Sequence, residues 1–361
     1  MTVVLSPGKL PRSGRICRTP PSLLDVAPYK QDMRPTKVYD TYWRFAAERQ
    51  AIFYRRLQDN VSSWTSDPIL QNYRFTNAYR AADRVSQYLI REVQYGEGRS
   101  QAPQEVFFRT LLFKIFNRID TWEALEHHVG PILWQEVKLQ VLSDTLDALI
   151  SRGVRIYSSA YIMPSPPFGY SRKHANHLAL VGQMMDDRIP DRLVRMNSLS
   201  AIYEILRRYP GLGPFLAFQY AIDLNYSSML MFDESEFVVA GPGALDGISK
   251  CFSDFGNYSA EYVINWTVDR QETEFDRLGL KFETLFGRRL QPIDSQNLFC
   301  EISKYARVAH PDVAGIANRH NIKRSYVPDP RPLLPLAFPP RWQLQIPHTF
   351  AEPQERQGRL F

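Results

Sequence analysis

The chain has 361 residues, 44% of them apolar and 13% aromatic, with 44 basic against 38 acidic side chains for a formal net charge of +6. That apolar share supplies a packed core and excludes a disordered chain, while no uninterrupted apolar run reaches the roughly 18 residues of a membrane-crossing helix. Cys17, Cys251 and Cys300 are odd in number and far apart, which excludes a disulfide framework and a C-x-x-C zinc site, so a reduced intracellular protein with no metal and no cofactor is expected.

Residues 1–36 hold six prolines and scattered basic side chains without apolar periodicity, and read as a flexible arm without the apolar core of a secretory signal. The folded body is expected over residues 37–310. Tyr39–Leu57 has no helix breakers and reads as a first amphipathic helix. Thr76–Ile90 reads as a second, with Ala78, Ala82, Val85 and Leu89 on one face. Phe108, Leu111, Leu112 and Ile115 repeat the same spacing, as do Leu139, Leu142, Leu146 and Leu149 before a stop at Gly153. Val154–Pro167 changes to a strand-like or irregular crossing, and Ser198–Arg208 returns to a helix. Residues 311–361 are proline-rich and read as an extended tail whose leucines and aromatics could strap onto the body.

The segment from Arg208 to Asp223 reads as a helix, a P-G-L-G turn, and a second helix opened by Pro214, where a missing N–H does no harm. Gly211 and Gly213 allow the tight turn, and the amides that follow could receive a phosphate oxygen, which makes a helix–hairpin–helix that grips DNA without reading sequence. The alternative is an αα-hairpin whose glycines only turn the chain. The basic charge balance suits a polyanion such as double-stranded DNA without requiring it.

This stretch resembles the helix–hairpin–helix of the endonuclease III-like DNA glycosylases, in which an aspartate follows the hairpin. The resemblance implies an all-α body of two helical lobes around a cleft, with Asp233, 20 residues beyond Gly213, as the catalytic carboxylate. Standing after the apolar run in SSMLMFD, Asp233 is expected to be partly desolvated, which would raise its pKa. The lysine of strand-cleaving relatives is absent at Pro214 and Phe215, as is a cysteine cluster for iron and sulfur, so a monofunctional enzyme is implied.

Further stretches narrow the match: YWRFAAER at 42–49, FTNAYRAADRVSQ at 75–87, AIDLNYS at 221–227, GPGALDG at 241–247 with Lys250, and CEISK at 300–304. Together they resemble the helical domain family of hydroxymethyluracil DNA kinases, also called the α-glutamyl/putrescinyl-thymine pyrophosphorylase family. The resemblance implies DNA with hydroxymethyl-derived pyrimidines as partner, and base excision or base hypermodification as reaction. No G-x-x-x-x-G-K-[ST] phosphate loop occurs in the chain.

Asn77, Arg80, Arg84 and Gln87 would share one stripe of the second helix with Asp83 beside it, so Arg80 and Arg84 are candidate phosphate contacts and Asn77 and Gln87 candidate base-pocket residues; a solvated face is the alternative. Asp223 is a second candidate carboxylate or a cap. Gly243 in its glycine-rich loop, Lys250 and Lys304 are candidate DNA contacts, and Tyr161 a base-stacking candidate. His174 and His177 lack nearby ligand partners and read as surface or DNA-facing. The reaction expected first is removal of a modified pyrimidine by a DNA glycosylase that flips its target base. The rivals are a transferase that remodels the base substituent and a DNA-binding module without activity. A eukaryotic source would make the chain nuclear.

Overall fold

Helix α1 (Lys37–Gln58) opens the body as the sequence pattern predicts, with Asp40 in its first turn and Arg55 and Arg56 in its last, matching the helix dipole. Its side chains are buried on more than one face, because Tyr42 meets Phe299 at a ring separation of 4.7 Å and Trp43 meets Phe275 at 5.0 Å. Full burial of each such ring contributes on the order of 2–3 kcal/mol. The computed structural model describes residues 33–58, 64–161, 163–327 and 333–351, and these are all-α apart from an antiparallel ribbon of β1 (Arg34–Pro35) and β2 (Phe252–Asp254). Most of the predicted arm, and Cys17 within it, lies outside the described residues.

After the short α2 (Pro68–Asn72) the structure departs from the expected helix over 76–90. Residues 80–82 form a 3-10 turn, α3 covers only Arg84–Tyr88, and Leu89–Gln94 winds as a π-helix. The cause is Asp83, which is extended (φ −67°, ψ 143°) and whose carboxylate accepts the Asn77 N–H at 2.8 Å, while the Asn77 side chain donates to Ala82 O. These bonds offer the backbone a loop in place of a helix.

The next helices follow the periodicity more closely. They are α4 (Pro103–Phe116), α5 (Ile119–Val129), α6 (Leu139–Ser151), α7 (Lys173–Asp186), α8 (Ile189–Leu193), α9 (Leu199–Leu206) and α10 (Pro214–Asn225). Among the described residues of the 154–167 crossing the chain is irregular, with no strand. Helix α10 is buried without interruption from Leu216 to Asn225 and packs against α9 and α4, so it is the axis around which the site is built. His174 and His177 on α7 are buried, which corrects the surface reading. Tyr157 donates to His177 Nδ1 at 2.7 Å, His177 Nε2 donates to Pro164 O at 2.8 Å, and burial lowers the imidazole pKa to about 4, leaving it neutral.

The body closes with α11 (Pro242–Cys251), α12 (Ala260–Asp269), α13 (Gln271–Arg277) and α14 (Pro292–Ala309). GPGALDG is the start of α11 and not a loop, and its glycines face α14. A Cβ at Gly243 would stand 3.0 Å from Cys300 Sγ, and one at Gly247 2.0 Å from Phe299 O. Gly247→Ala is therefore expected to lose about 3 kcal/mol of stability, since a backbone carbonyl cannot move aside; a urea midpoint shift measures it. Lys250 is buried as well, donating to Ser303 O at 2.9 Å and lying 3.3 Å from Asp246, so it ties α11 to α14. Gly243 is half-buried against Cys300, and the Lys250 ammonium is turned inward.

The tail adds a 3-10 turn at Pro340–Trp342 and the short α15 (His348–Ala351) and is otherwise irregular among its described residues. No helix among the described residues is long and apolar enough to cross a membrane.

Candidate functional site

Ser198 caps α9 by accepting the Ala201 N–H at 3.2 Å, and the helix ends at Leu206 in a turn leading to α10. Gly211 holds φ at 85°, a region costly for any residue with a Cβ, and it faces Pro164 and Pro166 of the irregular crossing. Leu212 is buried and pins the turn. Gly213 and Pro214 are exposed, although Pro214 itself has no N–H to offer an anion, and the ring of Phe215 lies 5.9 Å from that of Tyr161.

Helix α10 carries Asp223 into the interior, where it is 1% exposed. Its Oδ1 is 2.7 Å from Arg80 Nη1 and its Oδ2 2.8 Å from Lys114 Nζ. Both contacts lie at hydrogen-bonding distance, and opposite charge adds to them. Gln219, one turn earlier on α10, accepts Arg80 Nε at 2.9 Å and Tyr161 OH at 3.3 Å, while Lys114 Nζ lies 4.3 Å from the centre of the Tyr161 ring. The result is a closed network with two cations on one carboxylate. Burial alone would raise the Asp223 pKa, but Arg80 and then Lys114 hold it below the ordinary carboxylate range, so it stays ionised.

Arg80, Lys114 and Tyr161 form one wall of a cavity of about 490 Å³. Asn77, Arg84 and Gln87 line the same cavity, so the residues predicted on one helical stripe are brought together by a loop instead. Asn77 is engaged, accepting from Arg49 Nη2 at 2.8 Å. Gln87 faces the tail and exchanges two hydrogen bonds with the backbone of Ala337. Lys304 pairs with Glu301 at 2.6 Å and lies 5.1 Å from the ring of Phe75, which lines the cavity, so it sits at the rim. Asp83 is a carboxylate of the lining; burial, opposed by its bond from the Asn77 N–H, raises its pKa to about 6.

Sequence reasoning missed Lys114, Arg49 and Gln219. Lys114 left a signal, being a cation inside the apolar run LLFKIF, where burial of an unpaired charge is prohibitive and a partner is implied. Asp233 lies apart from the cavity on an exposed loop, where it accepts the Ser235 N–H at 2.8 Å. That bond lowers its pKa, opposite to the expected rise. The desolvated acid is its neighbour Glu234, 3% exposed and held between Arg288 (3.2 Å) and Arg341 (3.3 Å), whose pKa burial raises.

Residues 36–315 match the family model described as "5-hmdU DNA kinase, helical domain". A curated 5-hmdU DNA kinase of Bacillus phage SP10 is 26% identical over 287 residues, covering 74% of this chain and 45% of the relative, so the chain spans less than half the length of that relative. No solved structure matches. Since the matched residues run from the start of α1 past the end of α14 and carry every side chain of the buried network, the chain belongs to the family of the helical domain of 5-hmdU DNA kinases.

Proposed function

We propose that the chain binds DNA containing hydroxymethyl-derived pyrimidines, takes one modified base into the 490 Å³ cavity, and promotes group transfer at the substituent on that base. The observation that carries this reading is the buried Arg80–Lys114 pair on a single carboxylate, with both cationic residues lining the cavity. Two buried cations sharing one carboxylate favour an occupant that is anionic or becomes so. An oxygen departing from the methylene of such a base takes the bonding electrons and gathers negative charge, whereas a hydroxyl that accepts a transferred group gives up its proton and the negative charge develops on the donor's leaving group. The cavity has the size of a nucleotide, and unstacking a base costs a few kcal/mol, within reach of contacts from Tyr161 and the cationic wall. The SP10 relative is named for a kinase acting on 5-hmdU in DNA, which supports the substrate class.

A second reading, a DNA glycosylase, is favoured by Asp83, the cavity carboxylate with a pKa near 6. The two readings predict opposite pH responses. Below about pH 6 Asp83 is protonated and the cavity, where Arg49, Arg80 and Glu301 act on it, gains positive charge. Group transfer by the cationic wall is expected to persist or strengthen as pH falls from 7.5 to 5.5, and Asp83→Asn to flatten the profile. A glycosylase using ionised Asp83 would lose base release over the same interval.

Fluorescence anisotropy with duplexes containing hydroxymethyluracil or thymine tests the binding. Tighter binding of the modified duplex is expected, with affinity falling steeply with salt, and Lys304→Ala lowering the log–log slope by about one. Equal, salt-independent affinities would contradict the proposal.

A further inference from the structure

The cavity lining is built partly from the tail, since Leu333, Leu334 and Leu336 contribute to it. These residues lie beyond the matched region, which ends at 315. They are attached to the body by hydrogen bonds as well as by apolar contacts. The backbone N–H and C=O of Ala337 bond the Gln87 side chain at 2.9 and 2.8 Å, and Arg91 donates to Pro335 O at 3.3 Å. Further along, Arg341 donates to Leu230 O at 2.9 Å and to Asn225 Oδ1 at 3.2 Å, and pairs with Glu234. Phe338, 8% exposed, meets the ring of Phe286 and Trp342 that of Tyr226, while Leu334 and Leu336 are only partly buried against the core.

A segment with no regular structure beyond one 3-10 turn, whose leucines are only partly buried, opens more readily than the packed helices of the body. It places three leucines in a lining that also holds Arg80 and Lys114, and a base offers both a charged substituent and an apolar face. We propose that residues 333–342 are a docking strap of the base site: they close their leucines over the apolar face of the occupant, so that occupancy of the cavity and docking of the strap stabilise each other. This rests on the reading of the cavity as a base site. Glu234 is the latch, with Arg288 as its fixed partner from the body and Arg341 as its partner from the strap.

Arg341 serves as the test because it fastens the strap to Asn225, Leu230 and Glu234 of the body without itself lining the cavity. Hydrogen exchange of the full chain, with and without a duplex carrying one hydroxymethyluracil, is expected to show the 333–342 amides exchanging faster than those of α10 and α14 and slowing when the duplex is added. Arg341→Ala should speed exchange of the strap while α10 and α14 keep their protection, and weaken binding of the modified duplex about tenfold, with Arg341→Lys recovering part of the loss. If Arg341→Ala loosens the strap and binds as the parent does, or if the duplex leaves strap exchange unchanged in a parent that binds it, the strap proposal is overturned and the cavity reading stands. A parent chain that fails to bind the modified duplex overturns both.

Discussion

Replacing Asp223 by alanine is expected to cost about 3–5 kcal/mol of folding stability, because it leaves the buried Arg80 and Lys114 facing each other without a counter-charge. The stability terms separate cleanly. Lys114→Met leaves Arg80 and Asp223 as a one-to-one pair and should cost far less than Asp223→Ala, and adding Lys114→Met to Asp223→Ala should recover part of the loss by removing one of the stranded cations. Urea denaturation followed by circular dichroism measures all three. A loss under about 1 kcal/mol for Asp223→Ala would show that the network is not held by charge.

The second large effect is on chemistry. Arg80→Lys keeps a positive charge but loses the planar fork that lets Nε bond Gln219 while Nη1 faces Asp223. Conversion of a modified base is expected to fall about 100- to 1000-fold, the effect of removing one preorganised donor from a developing charge. Asp233→Asn, by contrast, alters an exposed turn whose carboxylate serves the Ser235 N–H, and should leave conversion within about twofold of the parent. Single-turnover assays on a hydroxymethyluracil duplex decide both, and the reverse ranking would return Asp233 to the site.

What was legible in the sequence was whatever depends on neighbours along the chain. Helices α1, α4, α6, α9 and α10 follow from apolar spacing and from Pro214 and Ser198 at their starts. The 76–90 region was misread because periodicity is blind to a side chain that folds back: Asp83 closes a loop on Asn77 and interrupts the helix. The residues of that region still meet in one cavity, so their chemistry was legible where their conformation was not. Spacing from the hairpin pointed to Asp233 but could not say which of two adjacent acids turns inward, and the structure buries Glu234, whose partners Arg288 and Arg341 are far along the chain. GPGALDG looked like an anion-binding loop because glycine and proline usually mark loops. Proline at the first position of α11 instead opens a helix, and glycines four apart let it press against α14. Lys114 and Asp223 are 109 positions apart, and only the fold brings them together.

The most direct test of the account is mass spectrometry of nucleosides from a hydroxymethyluracil duplex incubated with the full chain and a panel of candidate activated donors, with mild alkali applied to a parallel sample to cut abasic sites. The account predicts an intact strand whose modified base changes mass, with the change lost in Arg80→Lys and retained in Asp233→Asn. Strand breaks at the modified position after alkali, with free base released, would contradict group transfer and establish the glycosylase reading in its place.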